Sequence, residues 1–167
     1  MTEWKRDKQW SDRFLPEIKR ILGEHLIGEP PQEEDAERNT DLIVLRMEAV
    51  RIGCRVRRFQ YLNYAHEFTI RSGRPSGTKT ELTKIIEGWG DYFFYGFCDE
   101  PEQHLVCWVI LDLKHFRLWY MRTLAGLNAG NTPGSGRNNR DGSSSFLVFR
   151  WGELPPKAII AQQTKDS

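Results

Sequence analysis

Between Thr40 and Arg58 the chain reads TDLIVLRMEAVRIGCRVRR, a lone acid, Asp41, followed by a row of arginines. Side chains of a β-strand point to alternate faces, so if Ile52, Cys54 and Val56 face a core, then Arg51, Gly53, Arg55 and Arg57 share the other side. A guanidinium stays protonated and offers its N–H groups in a planar fork that fits phosphate oxygens, so such a row is chemistry for an anion. Arg58, Arg71 and Arg74 extend it: residues 51 to 74 hold six arginines against one acid, Glu67, a net charge of +5. Phe59, Tyr61 and Tyr64 lie among them and are suited to stacking on exposed bases. Taken together, these residues suit a phosphate backbone held without any reaction. The competing reading is purely structural: a helix covers this face, and the arginines pair with Asp41, Glu67 and the acidic stretch Glu29 to Glu37.

The whole chain is no polycation, since 167 residues carry a formal net charge of only +1, and any nucleic-acid footprint must therefore be local. With 39% apolar and 12% aromatic residues it can bury a core, and one domain over residues 1 to 167 is expected. Cys54, Cys98 and Cys107 lack metal-ligand spacing and sit in apolar, strand-like contexts, which predicts buried, reduced thiols in a cytoplasmic protein. MTEWKRDKQW is too polar for a signal peptide and no apolar run is long enough for a membrane span, so no membrane partner is expected.

The elements that must position these residues follow from periodicity. Ser11 is an N-cap candidate for a helix to about residue 26, with Phe14, Leu15, Ile18, Ile21, Leu22 and Leu26 at helical spacing and Pro16 in its first turn. Glu17 and Glu24 share a flank of this helix, either solvated or turned inward to an acidic site. Residues 28 to 39, with two prolines and five acids, form an extended linker into a hairpin, Leu42 to Leu45 and Ile52 to Arg58, turning at Glu48-Ala49. His66 to Arg71 is a third strand with Phe68 and Ile70 opposite Glu67, Thr69 and Arg71, and residues 72 to 77 form a loop. Thr78 and Glu81 have capping-box spacing ahead of Leu82, Ile85, Ile86 and Trp89, and Gly88 and Gly90 end that helix. Tyr92 to Phe97 and Leu105 to Leu111 are strands, and Asp112 caps a helix through Met121. Residues 126 to 145 have loop composition, in which Arg137 and Arg140 either touch a phosphate or are merely solvated; no phosphate-binding P-loop pattern is present. Phe146 to Trp151 is a strand and Lys157 to Gln163 a short helical segment. Trp4, Trp10, Trp119 and Trp151 fill the core or a homodimer interface.

The order helix, three strands, helix, strand resembles the αβββαβ core of the restriction-endonuclease-like, PD-(D/E)XK nuclease superfamily, an α/β (α+β) fold with a central mixed sheet. The likeness covers about residues 11 to 97. Thr40-Asp41 resembles the "PD" element, and Ile52 to Arg58 lies where the "(D/E)XK" strand would follow. The resemblance implies Mg²⁺-dependent cleavage of DNA, with two carboxylates holding the metal and a lysine beside the attacking water. Asp41 matches the first acid, but Arg55 and Arg57 stand where the second carboxylate and the lysine belong, and arginine neither ligates a cation nor acts as a base. Two outcomes are implied. One is a lost metal site, leaving a non-catalytic nucleic-acid-binding module; the other is a shifted site, with Asp41 and Glu67 as metal ligands and Arg57, Arg71 or Lys84 in place of the lysine. Glu81 shares a helix flank with Lys84 and is either a migrated acid or only a cap. A protein-interaction role on the same scaffold is the third expectation, and the general look of the chain, with no motif behind it, suggests a phage origin.

Overall fold

The computed structural model describes residues 3–26, 50–127, 133–139 and 141–164. Asp41, the first strand of the expected hairpin, the acidic linker and Arg140 lie outside the described residues.

Two apolar strands, Tyr92–Cys98 (β3) and Leu105–Asp112 (β4), pair antiparallel and are buried almost throughout, as strands covered on both faces must be. They form the centre of a four-stranded mixed sheet, in which Ile52–Arg57 (β1) pairs parallel with β3 and Ile159–Gln163 (β7) pairs antiparallel with β4. A second, three-stranded antiparallel sheet contains Glu67–Gly73 (β2), Ser145–Arg150 (β6) and Ser135–Asn138 (β5), in that spatial order. The helices are Glu3–Asp12 (α1), Leu15–Leu26 (α2), Glu81–Ile86 (α3) and Leu113–Leu124 (α4). The protein is thus mixed α+β, with two sheets.

Strand alternation sorts the core into two layers. On one face of the larger sheet, Val56, Phe94, Trp108 and Ile110 take Ile18 and Ile21 of α2 and Phe14 just before it. On the other, Phe93, Tyr95, Phe97, Val109 and Leu111 take Phe68, Ile70 and Phe149 of the second sheet together with Phe116 and Tyr120 of α4. Phe149 stacks on Phe68 and meets Phe116 edge-on, each with ring centroids 5.2 Å apart. Each such buried side chain contributes about 1.5–3 kcal/mol by leaving water. In β1 the expected alternation holds in part: Val56 enters the α2 layer and Arg55 and Arg57 point toward the second sheet, but Ile52 is only half-buried and Cys54 is exposed. Gly53 belongs to that arginine row because a Cβ there would lie 2.9 Å from the Phe93 ring.

Local capping explains the helix ends and corrects two expectations. Helix begins before Ser11, which sits in the last turn of α1 with its hydroxyl donating to Lys8 O at 2.9 Å; a turn at Arg13-Phe14 then starts α2, with Pro16 in its first turn. Thr80 rather than Thr78 caps α3, accepting from Thr83 N–H, and Gly88 and Gly90, at φ of 93° and 85°, end it as expected. Asp112 caps α4 by accepting from His115 N–H at 3.0 Å, also as expected.

The differences are tertiary. After β1 the chain turns through a 3-10 segment, Phe59–Tyr64, which carries β2 to the second sheet, where Phe68 and Ile70 are buried as their alternation predicts. Lys157 to Gln163 contains no helical run beyond a 3-10 turn at Pro156–Ala158; its β-branched Ile159-Ile160 pair joins β7, which covers the edge that β4 would otherwise leave open. Within 126 to 145, Ser135–Asn138 is strand, held by β6. Cys98 and Cys107 are buried, but Cys54, on β1, is exposed. Trp119 and Trp151 fill the core. Among the described residues no helix is long and apolar enough to cross a membrane.

Candidate functional site

The arginine row divides. Arg55 Nη2 donates to both carboxylate oxygens of Glu81, at 2.8 and 2.9 Å, and its Nη1 donates to Thr69 O at 2.8 Å. Glu81 also accepts the Arg71 backbone N–H at 3.1 Å. Glu81 is therefore the joint of β1, β2 and α3, and both its partner and that of Arg55 differ from those the sequence suggested. Arg58 donates to Glu102 at 3.0 and 3.2 Å and lies over the Trp10 ring at 4.2 Å, tying α1 to the β3–β4 turn. These two arginines are structural.

Arg57 is not so held. Its guanidinium lies 4.0 Å from the centroid of Tyr61, and it has no carboxylate partner among the described residues. It borders a cleft of about 750 Å³ between the two sheets. Thr69, Tyr95, Phe97, Phe146 and Val148 form the floor, where Tyr95 Oη and Thr69 Oγ1 share a hydrogen bond of 3.1 Å. Gln60, Tyr61 and Tyr64 of the 3-10 segment stand on one side and Arg137, Asn138 and Asn139 of the β5 hairpin on the other. A second hollow of about 560 Å³ shares Arg57, Gln60, Tyr61 and Phe146 with the first, so the two adjoin, and it opens over Cys54, Arg55 and Arg71 toward α1.

The electrostatics of the second hollow favour an anion. Partial burial lowers the Arg71 guanidinium from its ordinary value, and the neighbouring charges of Arg74 and Arg55 lower it further, with Glu81 opposing them. It stays charged at neutral pH, with Glu81 offsetting part of the positive charge around it and Asp7 also bordering the hollow. At the rim of the first hollow the Asp141 carboxyl is held below the usual carboxylate range by hydrogen bonds from Ser143, so it remains ionised.

The remaining candidates fall on both sides of this division. Glu67 lines the cleft, but its Oε1 lies 3.5 Å from Arg150 Nε, its cross-strand partner, and not from Arg71, its expected same-face partner. Lys84 is exposed on α3 and borders neither hollow. Arg51 acts through its backbone, donating to Asp91 Oδ2 at 2.8 Å, and Arg74 and Phe59 are exposed outside the lining. Arg137 reaches the cleft. Glu17 turns inward only to accept the Leu105 N–H, at 3.1 Å, and Glu24 pairs with Arg20. Gln60, Asn138, Asn139 and Phe146 went unmarked in the sequence; amides in a loop-like stretch give no pattern, and Phe146 is one more aromatic of a strand.

The Mg²⁺ that the nuclease resemblance implies can be tested against these donors. Among the described residues no group of three His, Cys, Asp or Glu side chains is placed to hold a metal ion. Arg55 and Arg57 occupy the motif positions, and Glu67 is engaged with Arg150. Asp41, the first acid of the resemblance, lies outside the described residues. Compared with family models, curated proteins and solved structures, the chain matches none.

Proposed function

We propose that this protein binds nucleic acid without cleaving it, holding the phosphate backbone with Arg57 and Arg137 in the cleft and Arg71 in the adjoining hollow. The observation that carries this reading is the contrast within β1. Arg55 has its full carboxylate complement, whereas Arg57, two residues on, lies over Tyr61 at the cleft and makes no ion pair among the described residues, although Glu67, engaged with Arg150, and Asp141 border the same cleft. A half-buried guanidinium without a counter-charge is costly, and a phosphate oxygen is the ligand that relieves it by paired, charge-assisted hydrogen bonds. The test is binding of a labelled oligonucleotide by fluorescence anisotropy across a salt series. Binding that weakens steeply with salt, with a log–log slope reduced by about one unit in Arg57→Ala and again in Arg137→Ala, is expected. No retention at low salt, or affinity indifferent to both substitutions, refutes it.

The second reading is the metal-dependent nuclease on a restriction-endonuclease-like scaffold. The parallel pairing of β1 with β3, across a connection that contains α3, favours that scaffold. It predicts Mg²⁺-dependent cutting of DNA that Asp41→Ala abolishes while the fold persists. A parent protein that binds nucleic acid yet leaves it uncut in Mg²⁺ or Mn²⁺ selects the first reading.

A further inference from the structure

Resting on the binding reading above, we infer that the cleft takes a single strand of nucleic acid rather than a duplex, with one base unstacked against Tyr64 and Phe146. The cations are recessed. Arg57 and Arg71 line adjoining hollows that the 3-10 segment and the β5 hairpin flank. Duplex readers do the reverse, projecting a helix or strand pair into a groove about 12 Å wide. A hollow of about 750 Å³ has the size of a small-molecule site, typically about 300–1,000 Å³, with room for a base and its sugar.

The lining has the composition that unstacked bases need. Tyr64 leaves 55% of its surface in water beside the hollow, so its ring is open to a stacking partner. Phe146 is half-buried and common to both hollows, and Tyr61 carries the Arg57 guanidinium on its face. Aromatic faces hold bases of any sequence, while cations beside them track the backbone. The rim supplies hydrogen-bonding edges. Asn139 is fixed by donating to Ser143 and Ser144 hydroxyls at 3.2 and 2.7 Å, and Gln60 and Asn138 bring further donors and acceptors. In this arrangement the backbone runs from Arg137 past Arg57 to Arg71, and a base drops between Tyr64 and Phe146.

The experiment compares four fluorescein-labelled probes of equal length: single-stranded DNA, single-stranded RNA, duplex DNA, and a single strand whose central positions are abasic. Wild type, Tyr64→Ala and Tyr64→Phe are titrated against each; the exposed position keeps Tyr64→Ala folded, which thermal unfolding verifies. A single strand bound about tenfold or more tightly than duplex bears the inference out, the better of DNA and RNA naming the sugar. Loss of about tenfold in Tyr64→Ala on base-carrying strands, with none on the abasic strand and recovery in Tyr64→Phe, bears it out further. Duplex bound as tightly as single strand, or the abasic strand bound as tightly as its base-carrying counterpart, overturns it and leaves the phosphate-binding reading standing. Retention of no probe at low salt overturns both.

Discussion

Arg55 and Arg57 leave the same strand on the same face, yet one is spent on the fold and the other faces solvent chemistry. At Arg55 three elements converge, because Glu81 of α3 accepts both from its guanidinium and from the Arg71 backbone of β2. That guanidinium is fully answered, so its energy appears as rigidity. At Arg57 the chain has just turned into the 3-10 segment, and the neighbour presented is the face of Tyr61 rather than a carboxylate. A cation–π contact orients the group, at about 0.5–1 kcal/mol, without neutralising it. The same residue type two positions apart is a joint in one place and a waiting donor in the other, and the difference lies in which element packs opposite.

The largest expected effect falls on the joint. Glu81→Ala leaves Arg55 part-buried without its counter-charge and the Arg71 N–H without its acceptor, which costs about 2–3 kcal/mol and lowers Tm by roughly 8 °C in a chain of this size. Thermal unfolding followed by circular dichroism measures this. Oligonucleotide affinity, in contrast, should hold or rise, since Arg55 is released toward the second hollow. If Glu81→Ala weakened binding and left stability intact, the division between the two arginines would be the wrong way round.

Arg57→Ala is the mirror experiment and the next in size. Affinity for nucleic acid drops about tenfold, or roughly 1.4 kcal/mol, while stability changes by less than about 1 kcal/mol. Arg57→Lys recovers the charge but not the planar fork that both lies on Tyr61 and offers paired donors, so it restores only part of the loss. Full recovery by lysine would reduce the role of this position to charge alone.

What the sequence disclosed and what it hid follow the same line. Period-two alternation gave the faces of β2, with Phe68 and Ile70 in the core, and placed the arginines opposite Val56 in β1, because that pattern is written locally, but it did not show that Cys54 is left exposed. Asp112 could be recognised as a cap for the same reason. The partner of Arg55 could not, since Glu81 lies 26 residues away and reaches it only once α3 packs on β2. The departure of β2 into a second sheet depends on β6, whose Arg150 pairs with Glu67 across 83 residues of chain. Likewise β5, embedded in glycine, asparagine and serine, becomes strand only because β6 offers an edge. Of the cleft, Arg57, Tyr61, Tyr64 and Arg137 were visible by type, but the amides that line its rim with them were not.

A third, smaller test asks whether a charge answered within the fold reads out in stability alone when it is an acid rather than an arginine. Asp112 sits far along the chain at the start of α4, accepting from His115 N–H, with His115 Nδ1 3.0 Å from its other oxygen. Burial pushes its carboxyl upward, but the hydrogen bonds and charge of His115 outweigh burial, and the net position is below the usual Asp value. A carboxyl depressed in the folded state stabilises fully above its unfolded pKa of about 3.9, and that contribution fades as pH falls through the lower folded value. Asp112→Ala therefore costs about 1 kcal/mol at pH 7, the loss of one N-cap. In urea unfolding the difference between wild type and variant narrows only below about pH 4, and nucleic-acid affinity at pH 7 is unchanged, since Asp112 borders neither hollow. A gap that closed as pH rose instead, or a variant that lost binding, would mean that the α4 cap and the cleft are not independent, and that the separation seen between Arg55 and Arg57 does not extend to the rest of the fold.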